Sequence, residues 1–225
     1  MGKYLLKFKK LGLIRYTSHL DLVRLFHRAF KRQGISLTYS KGFNPHPKMS
    51  FGQPLSLGFE SVGEYLEFET SESYEAKDIK DMLNITMPDG IEITDCWKID
   101  TNQKSISSSV EWASYEIQCD CEFDSSLIEE FLNQDKIIAL KRQKKKSTMK
   151  EIDIKPLIYK FNKLDGNKGL YAMVRTGSSS NLNPQLLLEA FYQFLNREYS
   201  KDNCIIVRLD LYNSRLEPLS SQLLT

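Results

Sequence analysis

Residues 16–58 have the sequence YTSHLDLVRLFHRAFKRQGISLTYSKGFNPHPKMSFGQPLSLG, which combines the signals of a helix, a short strand and a loop. Ser18, followed three residues later by Asp21, forms a capping box and predicts a helix that starts at His19. The helix is expected to end just before Gly34, a natural C-terminal stop. One face of this helix is apolar and predicts packing on a sheet, whereas the other face is basic.

The basic helix face favours phosphate contact because few acidic residues surround it. Residues 1–60 carry eleven Lys and Arg against two acids (net +9), residues 61–135 four against nineteen (net −15) and residues 136–225 sixteen against eight (net +8), which sum to +2. Two basic segments around an acidic one indicate a polyanion-binding face. The alternative is a solvated face without a partner. The helix residues expected to contact phosphates are Arg24, Arg28, Lys31 and Arg32.

A loop at residues 40–47 is expected to follow a second strand at 35–39. Two prolines flank His46 and restrict its backbone, while Gly42 permits a turn that other residues resist. A rigid loop holds side chains in place at low entropic cost, which suits recognition or catalysis; the alternative is a simple connection between strands. The residues expected to contact nucleic acid here are Lys41, Phe43, His46 and Lys48, with the Phe43 ring stacked on a base.

A second basic cluster lies at residues 141–150, KRQKKKSTMK. Strands predicted at 136–144 and 149–159 would make this segment the tip of an inserted hairpin. Such a tip could follow a phosphate backbone in folded or single-stranded RNA. Because like charges repel, the alternative is a solvated turn. The residues of the hairpin expected to bind nucleic acid are Lys141, Arg142, Lys144, Lys145 and Lys146.

The three histidines of the chain all lie in its opening stretch: His19, His27 and His46. Histidine acts as a general acid or base near neutral pH, as in metal-independent RNA cleavage. His46 is the candidate catalytic residue, with Tyr39, Lys41 or Lys48 beside it and a lysine holding the scissile phosphate. The structural alternatives are a helix-end residue beside the core for His19 and a surface residue for His27.

The cysteine pattern argues against a metal site in this chain. Of the four cysteines only Cys119 and Cys121 are close, and no second pair supplies the remaining ligands of a zinc site. An iron–sulfur cluster also requires more cysteines at closer spacing. Free buried thiols are therefore expected, with no metal and no cofactor bound by this chain.

Hydrophobicity gives no sign of a membrane protein. No apolar run approaches the roughly 18 residues that span a bilayer, and the N-terminal sequence MGKYLLKFKK lacks the apolar core of a signal peptide. We therefore expect a cytoplasmic protein without a membrane partner.

The order of the predicted elements indicates an α+β fold of two tandem ferredoxin-like (split βαβ) units with antiparallel sheets. The order strand, helix, strand, strand, helix, strand occurs in residues 1–100 and again in residues 111–215, where the basic β-hairpin is inserted. Polar residues 101–110 are the expected linker and 216–225 the tail. Strands are predicted at 3–9, 35–39, 63–70, 91–99, 112–121, 136–144, 149–159, 169–176 and 204–212, with Leu13 to Tyr16 extending the first. Helices are predicted at 19–33, 74–83, 125–132 and 184–196.

The opening stretch also resembles a known family. YTSHLDLVRLFHRAFKRQGI, YSKGFNPHPKMSFGQPLSLGFES and GEYLEFE are similar to the bacterial radical SAM-linked protein family, an uncharacterised domain found beside or fused to radical S-adenosylmethionine (SAM) proteins. Residues 140–158, LKRQKKKSTMKEIDIKPLI, resemble that family's basic segment followed by DIKP. The resemblance implies a radical SAM protein as partner, with S-adenosylmethionine and an iron–sulfur cluster in that partner. This chain lacks the Cys-x3-Cys-x2-Cys cluster motif.

These observations favour a non-catalytic RNA-binding accessory subunit that presents a structured RNA, tRNA or rRNA, to a radical SAM enzyme. One alternative is a metal-independent RNA endonuclease using His46. It rests on a fold-level likeness to the tandem ferredoxin-like endonucleases of CRISPR systems. Another alternative is a protein–protein adaptor that docks through the acidic residues 61–135 and does not bind RNA.

Overall fold

The computed structural model describes residues 1–102, 105–120, 123–142, 148–164, 169–177 and 179–221. The predicted α+β class is confirmed, with mostly antiparallel strands and few helices. The chain divides into a first unit, Met1–Val110 with Asp210–Thr225, and a second unit, Glu111–Leu209. The first unit is therefore built from two separate pieces of the sequence.

The first unit combines a small sheet with two longer helices. Its strands are β1 (Gly2–Lys10), β2 (Met49–Phe51), β3 (Glu60–Thr70) and β4 (Ile91–Ile99), and its helices are α1 (His19–Arg32), α2 (Ala76–Thr86) and the one-turn α3 (Ile106–Ser109). The strand order is β4-β1-β3, and β2 pairs with β3. All of these pairings are antiparallel.

Aromatic side chains hold α1 against this sheet. Phe8 of β1 meets Phe26 of α1 with ring centroids 4.9 Å apart, and Phe30 of α1 meets Phe68 of β3 at 4.6 Å. All four rings are buried. Each aromatic side chain removes a large apolar area from water, so these contacts fix the rotation of α1 about its axis. The basic face of α1 is consequently turned to solvent.

The predicted start of α1 is confirmed in its hydrogen bonds. The Ser18 hydroxyl oxygen accepts from the Asp21 backbone N–H at 3.2 Å, and the same hydroxyl donates to the Asp21 carboxylate at 2.7 Å. The helix ends at Arg32, and Gly34 takes a positive φ of 69° just beyond it. A residue with a Cβ would be strained in that conformation, so glycine sets the end of the helix.

The predicted strand at 35–39 is wrong. The segment forms only isolated bridges, Leu37 with Thr70 and Tyr39 with Pro47, and the next strand along the chain is β2. Ile35 and Leu37 are buried, whereas Tyr39 is exposed, so the alternation predicted burial correctly only for the first two. The backbone pairs too little to form a ladder, because the proline-rich loop directs the chain away after Tyr39.

The predicted extension of the first strand through residues 13–16 is also wrong. Residues Gly12–Tyr16 form a 3-10 helix. Gly12 has a positive φ of 69°, which interrupts the extended backbone of β1.

The second unit contains a run of paired strands, two helices and a hairpin. Its strands are β5 (Trp112–Cys119), β6 (Ile138–Arg142), β7 (Met149–Asp153), β8 (Ile158–Lys163), β9 (Gly169–Arg175) and β10 (Cys204–Tyr212), and its helices are α4 (Ser125–Asn133) and α5 (Pro184–Phe194). The strand order is β10-β5-β9-β8, and β6 and β7 form a separate two-stranded sheet. From Asp210 onward, β10 belongs to the first unit.

The predicted hairpin is present, but the single strand predicted at 149–159 is wrong. A 3-10 turn at Lys155–Leu157 divides that stretch into β7 and β8. Pro156 lies inside the turn and cannot donate to a strand ladder, which explains the break. None of the helices formed by the described residues is both long and apolar enough to cross a membrane.

Asn84 on α2 provides a test of how the first unit is held together. Its side-chain amide donates to the Ile93 carbonyl at 2.9 Å, and its side-chain oxygen accepts from the Ile93 N–H at 2.8 Å. We expect N84A to lower the free energy of unfolding by about 2 kcal/mol, because two hydrogen bonds to a buried strand residue are lost. Urea unfolding measures this. The control is N102A at an exposed asparagine, with an expected change within about 0.5 kcal/mol. Equal effects of the two substitutions would contradict the role given to Asn84.

Candidate functional site

A hydrogen bond joins α1 to the beginning of the loop at 40–47. The His27 Nε2 atom and the Tyr39 hydroxyl oxygen lie 3.0 Å apart, and their rings meet edge to face. Either group can be the donor, depending on the imidazole tautomer. This contact fixes where the chain leaves the sheet after the extended segment at 35–39, and so it positions the loop relative to α1.

A surface pocket of about 390 Å³ lies beside this hydrogen bond. Buried Phe30, Ile35 and Leu37 give it an apolar lining, while His27, Lys31 and Tyr39 contribute polar groups. Small-ligand sites have volumes of this order, with a few polar groups on an apolar surface. The pocket therefore places polar groups beside an apolar surface that is open to solvent.

The loop at 40–47 is closed at its base by its own backbone. The Ser40 N–H donates to the His46 carbonyl at 2.9 Å, and the His46 N–H donates to the Ser40 hydroxyl oxygen at 3.0 Å. Gly42 near the tip has a φ of 141°, which other residues rarely adopt. At the tip the Phe43 side chain is fully exposed. The hydrogen bonds at the base of the loop hold its backbone, so the Phe43 ring projects into solvent from an ordered loop.

The eleven cations of residues 1–60 fall into three sets according to their partners. Six have a carboxylate partner: Lys3 with Glu67, Lys7 with Asp210, Lys9 with Glu92, Arg15 with Glu60, Arg24 with Asp21 and Lys48 with Glu69. Lys10 is buried and donates to the carbonyls of Arg15 and Thr17. Two of the predicted phosphate contacts, Arg24 and Lys48, therefore lie in the paired group. Their cationic groups are already partly neutralised.

The remaining predicted cations of residues 1–60 are exposed and, unlike Arg24 and Lys48, have no ion-pair partner among the described residues. Within the described part of the chain no carboxylate lies at ion-pair distance from Arg28, Lys31, Arg32 or Lys41. The first three lie on α1, and Lys41 lies in the loop. Lys31 also lines the pocket. The positive charge available to a ligand is thus concentrated on the C-terminal half of α1 and on the adjacent loop.

Asp21 is the acidic residue closest to this face in sequence. The hydrogen bond from the Ser18 hydroxyl lowers the pKa of Asp21, and Arg24 and Arg28 lower it further. The carboxylate is consequently ionised at neutral pH and stays paired with Arg24 at 3.1 Å. Its charge lies at the helix N-terminus, where it interacts favourably with the helix dipole.

The basic hairpin of the second unit is described only in part. Lys141 is exposed at the end of β6, and the backbone of Arg142 completes that strand. The Arg142 side chain lies outside the described residues, as do Lys144, Lys145 and Lys146. Their assignment to nucleic-acid binding stays a prediction.

The catalytic assignment of His46 also stays a prediction. Its side chain is exposed in the loop, and its described hydrogen bonds involve only its backbone. The pair of His27 and Tyr39 was not predicted, because their contact depends on the path of residues 35–39 and no spacing pattern indicates it. Among the residues that the structure describes, no group of three or more His, Cys, Asp and Glu side chains is placed to hold a metal ion.

Comparisons with known proteins give a family match. The family model described as "Uncharacterized protein conserved in bacteria (DUF2344)" matches residues 3–184 of the 225-residue chain. No curated protein matches the chain. Among solved structures, "Crystal Structure of a Cbf5-Nop10-Gar1 Complex" aligns with a TM-score of 0.46 and 8% identity. The alignment covers 94% of this chain and 50% of the other, so the chain spans half the length of that protein.

His19, at the start of α1, predicts a pH dependence of stability. Its ring packs edge-on to Phe51 with centroids 5.2 Å apart; the partial loss of hydration there, and then the charge of Lys10, lowers the pKa of His19 below its usual 6.5. Just below that value the unfolded chain binds more protons than the folded chain, so stability should fall as the pH decreases from 6.5 toward the lowered pKa. We expect H19Q to reduce the difference in unfolding free energy between about pH 7.5 and about pH 5.5, measured in urea. An unchanged difference would exclude this contribution from His19.

Proposed function

We propose that this chain, which belongs to the DUF2344 family of uncharacterised bacterial proteins, binds a structured RNA and presents it to a radical SAM enzyme without catalysing a reaction itself. The proposed RNA is a tRNA or rRNA. The observation that carries the proposal is the group of exposed cations on α1 and the loop, without carboxylate partners among the described residues, beside a pocket lined by His27 and Tyr39.

Helix geometry makes the cations of α1 suitable for a phosphate backbone. Arg28 is followed by Lys31 and Arg32 at the i+3 and i+4 positions, so the three side chains are neighbours on one helix face. Like charges at this spacing repel each other, and bound phosphates would relieve that repulsion. The opposite, apolar face of α1 is buried in the core. RNA bound to the basic face would therefore not displace any core packing.

The loop and the pocket support recognition of unpaired bases. Sequence-specific RNA binding uses bases that stack on aromatic rings and hydrogen-bond through their edges. Phe43 offers an exposed ring on a loop whose base is already closed by hydrogen bonds. Little conformational entropy is therefore lost when this loop binds RNA. His27 and Tyr39 provide donors and acceptors for a base edge or a ribose 2′-hydroxyl, and Lys41 and His46 lie in the same loop.

The partner is proposed from the resemblance of residues 16–69 to the radical SAM-linked family. In this proposal the S-adenosylmethionine and the iron–sulfur cluster belong to the partner protein. This chain would bind the RNA and orient it toward the enzyme, since holding a reactant in the productive geometry accelerates a reaction.

Each unit is proposed to have a ferredoxin-like fold. The strand order is β4-β1-β3-β2 in the first unit and β10-β5-β9-β8 in the second. If the strands of each unit are numbered along the chain, leaving out the β6–β7 hairpin, the two orders are identical. The hairpin of β6 and β7 then corresponds to the predicted insertion. Residues 101–110 would be the linker between the two units.

The salt dependence of RNA binding tests the phosphate contacts. We expect the triple variant R28A/K31A/R32A to lower the slope of log K against log salt concentration by about 2 to 3, because each lost phosphate contact removes roughly 0.7 to 0.9. The probe is bulk bacterial tRNA, titrated at several salt concentrations. The charge-matched control K77A/K80A/K98A removes three lysines from the acidic segment and should keep the wild-type slope. An unchanged slope in the first variant would contradict the assignment.

Co-purification from the native host at low salt tests the proposed role. We expect one enriched class of tRNA or rRNA together with a radical SAM protein. The R28A/K31A/R32A variant should lose the RNA and retain the protein partner. A radical SAM protein recovered with no RNA from the wild-type chain would favour the adaptor instead. Bound RNA with cyclic phosphate ends that disappear in H46A would favour the endonuclease.

A further inference from the structure

Two cysteine side chains meet in the second unit. Cys119 is the last residue of β5 and Cys204 the first residue of β10, and these strands are neighbours in the sheet. Their Sγ atoms lie 3.2 Å apart, and the adjacent Asp120 N–H donates to the Asn203 carbonyl at 3.3 Å. A disulfide has an S–S distance of about 2.05 Å, so an approach of about 1 Å would close the bond.

The two thiols differ in exposure. The Cys119 side chain is buried, whereas Cys204 is half-buried. Such an arrangement assigns different tasks to the two sulfur atoms. The more accessible thiol meets an oxidant first, and the buried thiol is held in contact to resolve the intermediate.

A surface pocket of about 470 Å³ lies beside the pair and has an acidic lining. Glu116, Asp120 and Asp202 line it together with Cys119. Cys204 is not among the lining residues, but both of its chain neighbours, Asn203 and Ile205, are. Three carboxylates produce a negative potential that disfavours anionic oxidants such as glutathione disulfide. A small neutral hydroperoxide does not experience this repulsion, and the pocket has ample room for it.

We propose that Cys119 and Cys204 form a redox-active dithiol site that hydrogen peroxide oxidises to a disulfide. The Cys204 thiolate attacks one peroxide oxygen, the O–O bond breaks, and the site is left with a Cys204 sulfenic acid and hydroxide. The Cys119 thiol then attacks that sulfur, and its proton leaves with the sulfenic oxygen as water. Both sulfur atoms are oxidised, and the peroxide is reduced to water.

The surroundings of Cys204 favour its role as the attacking thiol. The hydrogen bond with the Cys119 thiol lowers the pKa of Cys204, and the Tyr192 hydroxyl lowers it further, while burial and the charge of Asp120 oppose both effects. Cys96 in the first unit is the contrast, because burial raises the pKa of its thiol to about 12. Cys96 is therefore the natural control cysteine for this chain.

Mass spectrometry of the full-length chain tests the proposal. The experiment uses C121S, because Cys121 shares a tryptic peptide with Cys119 and would obscure the assignment. After peroxide treatment of the reduced protein, we expect a mass lower by two hydrogens and one cross-link, between peptides 105–136 and 202–208. The same mass loss is expected in the wild-type chain and in C96A. A cross-link that involves Cys96, or uncross-linked thiols after peroxide treatment, would overturn the proposal.

Variants that each lack one cysteine of the pair test which thiol reacts first. C119A should leave a Cys204 sulfenic acid that dimedone traps, whereas C204A should give much less adduct. The reverse pattern would overturn the roles of the two thiols.

Glutathione disulfide at the same concentration should oxidise C121S at least about tenfold more slowly than peroxide does. A fast mixed disulfide between glutathione and Cys204 would overturn the choice of a neutral oxidant. None of these outcomes depends on RNA binding, so this proposal stands or falls separately from the proposed function.

Discussion

The packing of Phe26 and Phe30 against Phe8 and Phe68 determines what the first unit presents to solvent. A rotation of α1 by one residue, about 100°, would move arginine and lysine side chains toward the aromatic core, where an unpaired charge is strongly disfavoured. The four rings therefore orient the helix, and the position of the cations follows. The His27–Tyr39 hydrogen bond depends on the same orientation, because His27 lies beside the cations at the edge of the apolar face.

Cations in this unit serve two different purposes that composition does not separate. Lys3 and Lys7 of β1 project from the sheet face opposite α1 and are paired with Glu67 and Asp210 at 3.3 and 2.6 Å. Both acids lie outside residues 1–60, so a large share of the +9 of that segment is balanced from elsewhere in the chain. What stays available is a much smaller set on α1 and in the loop. The number of basic residues thus overstates the positive charge that has no carboxylate partner among the described residues, whereas their position on one helix face shows where that charge lies.

Local features were predictable from the sequence, and features that depend on distant partners were not. The start of α1 followed from Ser18 and Asp21 because both halves of that cap lie within one turn. The segment at 35–39 has the apolar alternation of a strand, but whether it pairs depends on β3 and on a loop that turns away. The contact of His27 with Tyr39 depends on that same path. The contact of Cys119 with Cys204 joins residues 85 positions apart, which no spacing rule connects.

Asp210 belongs to the first unit but follows the second unit in the sequence, and this order has a consequence for biosynthesis. Lys7 and Tyr65 both donate to the Asp210 carboxylate, and the Tyr65 hydroxyl also forms a hydrogen bond with the Ser220 hydroxyl. Lys7 and Asp210 are 203 residues apart, so the ribosome must translate the whole of the second unit before the first unit can be completed. Domains generally fold in the order in which they emerge, but here the N-terminal unit must mature after the segment that interrupts it. Until then Lys7 and Tyr65 lack the carboxylate that they share, so the first unit stays incomplete while the second unit is synthesised.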